Sequence, residues 1–444
     1  VIGGVASGVG KTSVAIGLMA ALRDAGQRVG AAKVGPDYID PSLHALAIGG
    51  PSYQLDAVMT GPEGLLRSAA RAARGHELVV VEGVMGLFDG TDAVDWSTGL
   101  PAGSTAEAAL LLNAPVVLVV DAQGLSHSVA ALVRGFADHD PRVRVAGVIC
   151  NRVASDRHRE LLASALAAAG IPMLGAIPRG GLPPRRSRNL GLVDAAADPT
   201  EARAWVAELG ARIAAHLDLG TIVALAAPMP AHEATPSRPA PVATLAYSTG
   251  SSASFAYPEN LERLAEAGLE LIAFDPRSDP VPPRAHALWL HGGYPELFAD
   301  ELAANLPMRE GLIEARRRLV PIVAECGGFA LLGRSLAGWP MAGILPHETT
   351  MTDRLTLGYR VATPRMPVAS VLFKEPVVGH EFHRLGATTP GSDLLLGPAP
   401  TPLVGGVARG TLLASFVHWH LGGAPALLGR LVAAARLAAT HASS

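Results

Sequence analysis

A chain of 444 residues is too long for one ordinary hydrophobic core, so two domains of roughly 200 residues each are expected. Its 49% hydrophobic residues are enough to fill two interiors, and a formal net charge of −3 gives no electrostatic reason to expect nucleic acid or an anionic membrane as partner. Two cysteines, Cys150 and Cys326, argue against a disulfide framework and for a reducing cytoplasm.

The first half alternates short β-branched runs with helical patterns, which predicts parallel strands joined by crossover helices. Strands are expected at Val1 to Val5, Val29 to Ala32, Leu78 to Val81, Val116 to Val120, Val143 to Cys150 and Met173 to Ile177. Helices are expected at Lys11 to Asp24, Ser126 to Phe136, Arg157 to Ala169 and Thr200 to His216. The longest apolar stretch, Ala108 to Val120, is interrupted by Asn113 and Pro115 and is too short to span a bilayer. No signal peptide is visible, and because Val1 already falls inside the first strand, a few residues are expected to precede it.

From 226 to 241 the composition turns to Pro and Ala without periodicity, which reads as a linker between a domain over 1–225 and another over 242–444. Beyond it, strands are expected at Val242 to Ala246, Leu269 to Phe274, Ala287 to Leu290 and Val320 to Ala324. Segments around Gly343, Gly358 and Leu412 to Val417 read as extended strands outside crossover units, predicting a mixed sheet, and Ala424 to His441 reads as a helix. The fold class is therefore α/β in both halves.

The string Gly8-Val9-Gly10-Lys11-Thr12-Ser13 follows a β-branched run and opens a helix, the setting of a phosphate cradle. Its glycines let backbone N–H groups close on a polyphosphate, Lys11 adds a point charge, and the Thr12 hydroxyl reaches Mg²⁺. ATP and Mg²⁺ are thus the expected cofactor set, with Gly8, Gly10, Lys11, Thr12 and Ser13 as the binding residues. The full P-loop pattern would have its first glycine at Val5, and the deviant form of the partitioning ATPases would have a lysine at Ala6; neither is present. Glu82 ends the Leu78 run, where a carboxylate holds Mg²⁺ or its water. The string KVGPDYID, Lys33 to Asp40, brings a lysine and two aspartates into one loop. Asp40 is assigned to the metal beside Thr12 and Glu82, and Lys33 and Asp37 to an anionic substrate; the two aspartates also suit turn and cap positions beside Pro36 and Pro41. Asn151 ends the Val143 strand, a place for an adenine-reading amide or for a plain strand-end polar residue.

Downstream, Cys326 in ECGG follows the Val320 strand, so a thiol on a tight strand-to-helix turn is expected to act as a nucleophile. The alternative is a packed core cysteine, which is the reading for Cys150. Gly327 and Gly293 are the expected oxyanion donors. The string SFVHWH offers His418 and His420 as the base, and strand alternation puts both on one face.

Taken together, SGVGKT (Ser7 to Thr12), KVGPDYIDP (Lys33 to Pro41), VEGVMGLFDG (Val81 to Gly90), GGYPEL (Gly292 to Leu297), AECGGF (Ala324 to Phe329) and GHEFH (Gly379 to His383) resemble the cobyrinic acid a,c-diamide synthases, including the hydrogenobyrinic acid enzymes of aerobic cobalamin synthesis. The likeness runs over nearly the whole chain. It implies an N-terminal domain similar to dethiobiotin synthetase and a C-terminal class I glutamine amidotransferase domain. It also implies that ATP activates the a and c acetate carboxylates of a corrin as acyl phosphates, and that ammonia from L-glutamine displaces the phosphate. A Cys–His dyad is implied, with His418 as base; His380 and His383 are read as structural or substrate-side. Asn189 stands where the family usually has histidine, and the string AYSTGSSASFA lacks an aspartate found in many relatives. The other readings are a cobyric acid synthase, an amidase of nickel-tetrapyrrole synthesis, and a P-loop switch ATPase; Cys326 argues against the last. Neither nucleic acid nor membrane is expected as a partner, and a homodimer is compatible with the reading.

Overall fold

The computed structural model describes residues 1–184, 198–229, 238–365, 370–397 and 403–442. The chain divides into two compact units, Val1–Glu233 and Ala234–Ser444. The segment 226–241 lies partly, and Asn189 wholly, outside the described residues.

The first unit runs β1 (Ile2–Gly4), α1 (Lys11–Asp24), β2 (Val29–Val34), α2 (Ile39–Ile48), β3 (Ser52–Leu55), α3 (Ala57–Ala73), β4 (Leu78–Glu82) and α4 (Thr105–Leu111). It continues with β5 (Val116–Asp121), α5 (Ser128–His139), β6 (Val145–Val153), α6 (Asp156–Ala168), β7 (Met173–Pro178), α7 (Pro199–His216) and α8 (Leu219–Ala224). The seven strands form one parallel sheet in the order β3-β2-β4-β1-β5-β6-β7. Continuous apolar runs such as VVLVV in β5 suit strands buried on both faces. One side is closed by α1 and α7 over Val14, Ile16, Leu18 and Ile213, and the other by residues including Val129, Leu162 and Leu166.

Five elements of this unit are missing from the sequence reading: α2, β3, α3, α4 and α8. In α2, Pro41 reads as turn punctuation but sits in the first turn, where a backbone N–H has no helical partner to lose. In α3, Gly61 (φ 71°) and Pro62 break the helical geometry after the Asp56 cap, which masks the periodicity. The four-residue β3 is too short to stand out.

The second unit runs β8 (Ala243–Ser248), α9 (Pro258–Glu266), β9 (Leu269–Phe274), β10 (Ala287–Leu290), α10 (Ala299–Ala304), α11 (Leu306–Arg317), β11 (Ile322–Glu325) and α12 (Gly327–Leu331). Then follow β12 (Ser335–Leu336), β13 (Trp339–Pro340), β14 (Glu348–Pro364), β15 (Val377–Ala387), β16 (Leu394–Gly397) and β17 (Leu403–Gly405). The last elements are β18 (Val407–Arg409), β19 (Leu412–Ser415), β20 (His418–Trp419) and α13 (Pro425–Ala442). One sheet, β18-β19-β11-β10-β8-β9, is parallel except for the edge strand β18, and so is mixed. A second sheet is built on the long β14–β15 antiparallel pair and ends at β20. Gly343 lies outside any strand, contrary to the sequence reading; its φ of 66° departs from extended backbone.

Candidate active sites

In the first unit, three neighbouring strands of the sheet, β2, β4 and β1, deliver their C-terminal ends to one place. The loop after β1 carries Gly8 (φ 79°) and Gly10 (φ 94°), and Gly10 caps α1 in a left-handed conformation with no side chain on the first-turn N–H groups. With no acidic residue in that turn, the helix N-terminus is left to an anion. Lys11 is buried, while Thr12 and Ser13 are half-buried. Asn151 packs under this loop: its Nδ2 donates to Val9 O at 2.9 Å, and a Cβ on Gly10 would fall 2.3 Å from the same nitrogen. The Asn151 amide thus braces the loop. Arg152, held by Asp121, also donates to Gly8 O at 3.0 Å.

Beside the loop lies a buried polar cluster. Thr12 Oγ1 donates to Glu82 Oε1 at 2.5 Å and lies 3.4 Å from Asp40 Oδ2. Lys33 Nζ reaches Glu82 Oε1 at 2.8 Å, Asp40 Oδ2 at 3.1 Å and Gly83 O at 3.0 Å, so its three donors are all engaged within the cluster. Lys33 was expected to face substrate; it is 3% exposed and acts on the carboxylates instead. Asp37 Oδ1 accepts from the Ile39 and Asp40 N–H groups at 2.8 and 3.2 Å, fixing the entry to α2.

Burial by itself would raise the Glu82 pKa, but Lys33 and then His44 outweigh it and hold the carboxyl well below the usual range. Burial likewise works against the Lys33 ammonium, yet Glu82, Asp40 and Asp37 raise its pKa overall. Loss of water around the half-buried Asp37, helped by the neighbouring Asp40, pushes its carboxyl up to about 6. Burial lowers Lys11, with Lys33 adding to the effect. A hydroxyl and two carboxylates are hard oxygen donors, the set that Mg²⁺ takes together with waters and phosphate oxygens. Among the described residues no group of three or more His, Cys, Asp or Glu is arranged to hold a metal ion.

In the second unit, Cys326 joins β11 to α12 with φ 49° and ψ −105°, a strained non-glycine turn. Its N–H donates to Ser415 O at 2.8 Å, and its Sγ lies 3.9 Å from Phe382 O. The His418 ring and the Cys326 Cβ converge over Gly292. A side-chain carbon there would stand 2.5 Å from His418 Cε1, 3.1 Å from Nε2 and 2.9 Å from Cys326 Cβ. Gly293 N lies 3.4 Å from the position a Gly327 Cβ would take, so the two expected oxyanion glycines are neighbours. Burial raises the Cys326 thiol, helped by Glu296, and burial lowers His418 well below 6.5, helped by His380, His383 and His291. The resting pair is therefore a neutral thiol and a neutral imidazole.

His420 does not share this setting. Strand β20 ends at Trp419, and His420 lies against the Tyr257 ring (5.0 Å between centroids), with its Nε2 3.9 Å from Glu259 Oε2. The two histidines, expected on one face, have different neighbours, and the ladder pairing of β20 ends at Trp419, before His420. His380 pairs in register with His418, and His383 stacks on Phe416 while its Nδ1 bonds Leu385 O at 2.7 Å. Cys150 is fully buried in the first unit's core, where burial pushes its thiol up to about 12.

Sequence reasoning missed His44, whose Nε2 bonds Glu82 Oε2 at 2.6 Å and whose Nδ1 bonds Ser52 Oγ at 3.0 Å. A signal was present: His44 is four residues after Asp40 on α2, the spacing of helical neighbours on one face. It also missed Glu325 and Asn260, which hold the backbone beside His418.

Residues 1–182 match the family model for the CobQ/CobB/MinD/ParA nucleotide binding domain, and residues 245–425 match that for the CobB/CobQ-like glutamine amidotransferase domain. The chain is similar to hydrogenobyrinate a,c-diamide synthase of Mycobacterium bovis, with 42% identity covering 96% of each chain. It is 41% identical to the enzyme of that name from Streptomyces coelicolor, over 97% of this chain and 96% of the relative. It is 39% identical to cobyrinate a,c-diamide synthase of Syntrophotalea carbinolica, over 96% of each. A nucleotide-binding unit followed by an amidotransferase unit, with such relatives over nearly the full length, makes this chain a member of the a,c-diamide synthase family.

Proposed function

We propose that this chain uses ATP and L-glutamine to convert the a and c acetate carboxylates of a corrin, hydrogenobyrinic or cobyrinic acid, into amides through acyl phosphates. The observation that carries the reading is the strained Cys326 beside His418 over Gly292: a switch ATPase has no use for a nucleophile and base held in this way.

In the first unit, the α1 N-terminus and Lys11 would receive the ATP phosphates, with Gly8, Gly10 and Ser13 shaping the loop and Asn151 bracing it from below. Thr12, Asp40 and Glu82 would hold Mg²⁺, which when bound neutralises charge on the transferring phosphoryl group. Lys33 would hold both carboxylates in place and favour the ionised form of Glu82, and Asp37 would lie on the substrate side. In the second unit, Cys326 Sγ would attack the glutamine side-chain carbonyl carbon as His418 takes the thiol proton and passes it to the departing ammonia. The Gly293 and Gly327 N–H groups would stabilise the oxyanion, and water would then release glutamate from the thioester. Domains over 1–225 and 242–444, joined by 226–241, are the division of labour this implies.

Incubation of the protein with ATP, Mg²⁺, glutamine and hydrogenobyrinic or cobyrinic acid, followed by mass spectrometry, tests the reading. A diamide formed with release of glutamate and phosphate is expected. ATP hydrolysis without glutamate release or amide formation would reject it in favour of the switch ATPase.

A further inference from the structure

The backbone of Trp419, the residue after His418, is held at its N–H and at its carbonyl by two buried side chains. Trp419 N–H donates to Glu325 Oε1 at 2.7 Å, and Trp419 O accepts from Asn260 Nδ2 at 2.7 Å. Two residues on, Leu421 N–H donates to Asn260 Oδ1, also at 2.7 Å. Glu325 is 2% exposed and Asn260 1%. Glu325 is the last residue of β11 and directly precedes Cys326, so one side chain links the backbone before the nucleophile to the backbone after the base. Strand β20 itself pairs with β15 at only two positions, a short ladder on which to fix a ring. The position two residues after the base, where triad enzymes carry an acid, holds His420, which lies by Glu259 and Tyr257.

We propose that Glu325 is a positioning residue for glutamine hydrolysis: by accepting the Trp419 N–H, it holds the His418 imidazole at working distance from Cys326 Sγ. It does through the backbone what a carboxylate beside the base does through the side chain. The inference rests on reading Cys326 and His418 as nucleophile and base. Burial pushes the Glu325 pKa up to about 8 against hydrogen bonds from Trp289 and the Trp419 N–H; the role asked of the side chain is only to accept at Oε1, for which an amide oxygen is a close substitute.

The test compares Glu325→Gln and Glu325→Leu in the full chain, measuring glutamine hydrolysis and amidation with ammonium salt. Glu325→Leu, which loses the acceptor, is expected to lower kcat for glutamine by about 100-fold, the cost of displacing a reacting group by about 1 Å, while KM stays near wild type. Ammonia-dependent amidation should be unchanged, and Glu325→Gln should keep most of kcat. Wild-type kcat in Glu325→Leu, or a Glu325→Gln variant as slow as Glu325→Leu, overturns the proposal. If Glu325→Leu does not fold, Glu325→Asp retracts the acceptor by one methylene; reduced kcat at unchanged KM supports the proposal and wild-type kcat overturns it. Cys326→Ala runs alongside: glutamine hydrolysis surviving there removes the nucleophile assignment and this proposal with it, whereas an active Glu325→Leu beside an inactive Cys326→Ala removes the proposal alone.

Discussion

Glu82 and His44 meet in a 2.6 Å hydrogen bond with both side chains closed to solvent. Because His44 takes Oε2, only Oε1 is left to Thr12 and Lys33, and the carboxylate is held at both ends. Glu82→Gln removes the formal charge at that centre and should cut ATP-dependent amidation by at least ~100-fold even with ammonium salt as nitrogen source. His44→Ala, which frees one end of the carboxylate, should cost about 10- to 100-fold in the same assay, the range for a residue that orients a metal ligand. Near-normal ammonia-dependent turnover in Glu82→Gln would show the metal to lie elsewhere.

Cys326→Ala should abolish amidation from glutamine and leave synthesis from ammonium salt largely intact, since the nucleophile serves only the release of ammonia. Parallel rates with the two nitrogen sources measure this directly. Equal loss with both would remove the division of labour between the units.

His418 borders Cys326 over Gly292, whereas His420 lies by Glu259 and Tyr257. His418→Ala should therefore lose glutaminase as completely as Cys326→Ala, and His420→Ala should lose less. The His418→Ala, Cys326→Ala double variant should be no worse than either single change, because residues acting as one unit are not additive. An inactive His420→Ala beside an active His418→Ala would reverse the assignment of the base.

A methyl group on Gly292 would sit 2.5 Å from His418 Cε1 and 2.9 Å from Cys326 Cβ. Gly292→Ala must push the pair apart, so glutamine hydrolysis should fall by ~100-fold or more while ammonia-dependent amidation continues. Retention of the wild-type glutaminase rate would mean that the pair yields without cost.

The pH dependence of glutamine hydrolysis carries a sign. His418 is held well below its ordinary 6.5, by burial first and then by His380, His383 and His291, so the base stays neutral as pH falls through 6.5. The rate profile should show no half-loss at pH 6.5, and any acid limb should lie lower. Stability follows the same direction: a depressed folded-state pKa contributes stability that is present above 6.5 and is lost as pH falls, because the unfolded chain takes up the proton first. A titration of kcat/KM with its midpoint at 6.5 would contradict a buried, neutral His418.

Local pattern alone was enough for much of this protein. The bounds of α1, β9 and β10 follow from apolar periodicity and β-branched runs, as does the placing of Lys11 and Thr12 at the start of a helix, of Glu82 at a strand end and of Cys326 just after one, because these depend on residues close in the chain. What could not be read were contacts that span long sequence distances. His44 with Glu82 joins residues 38 apart, and Glu325 with Trp419 joins residues 94 apart; nothing in either neighbourhood names its partner. Lys33 looks like a substrate-binding cation until folding closes Asp40 and Glu82 around it. His418 and His420 are equivalent by alternation along the chain, and only the fold gives them different neighbours: Gly292 and Cys326 for one, Tyr257 and Glu259 for the other. Residue types and their local spacing thus determined the chemistry available to this chain. Only the tertiary structure decided which groups of each kind meet, since a buried polar side chain takes its role from the partners that replace water around it.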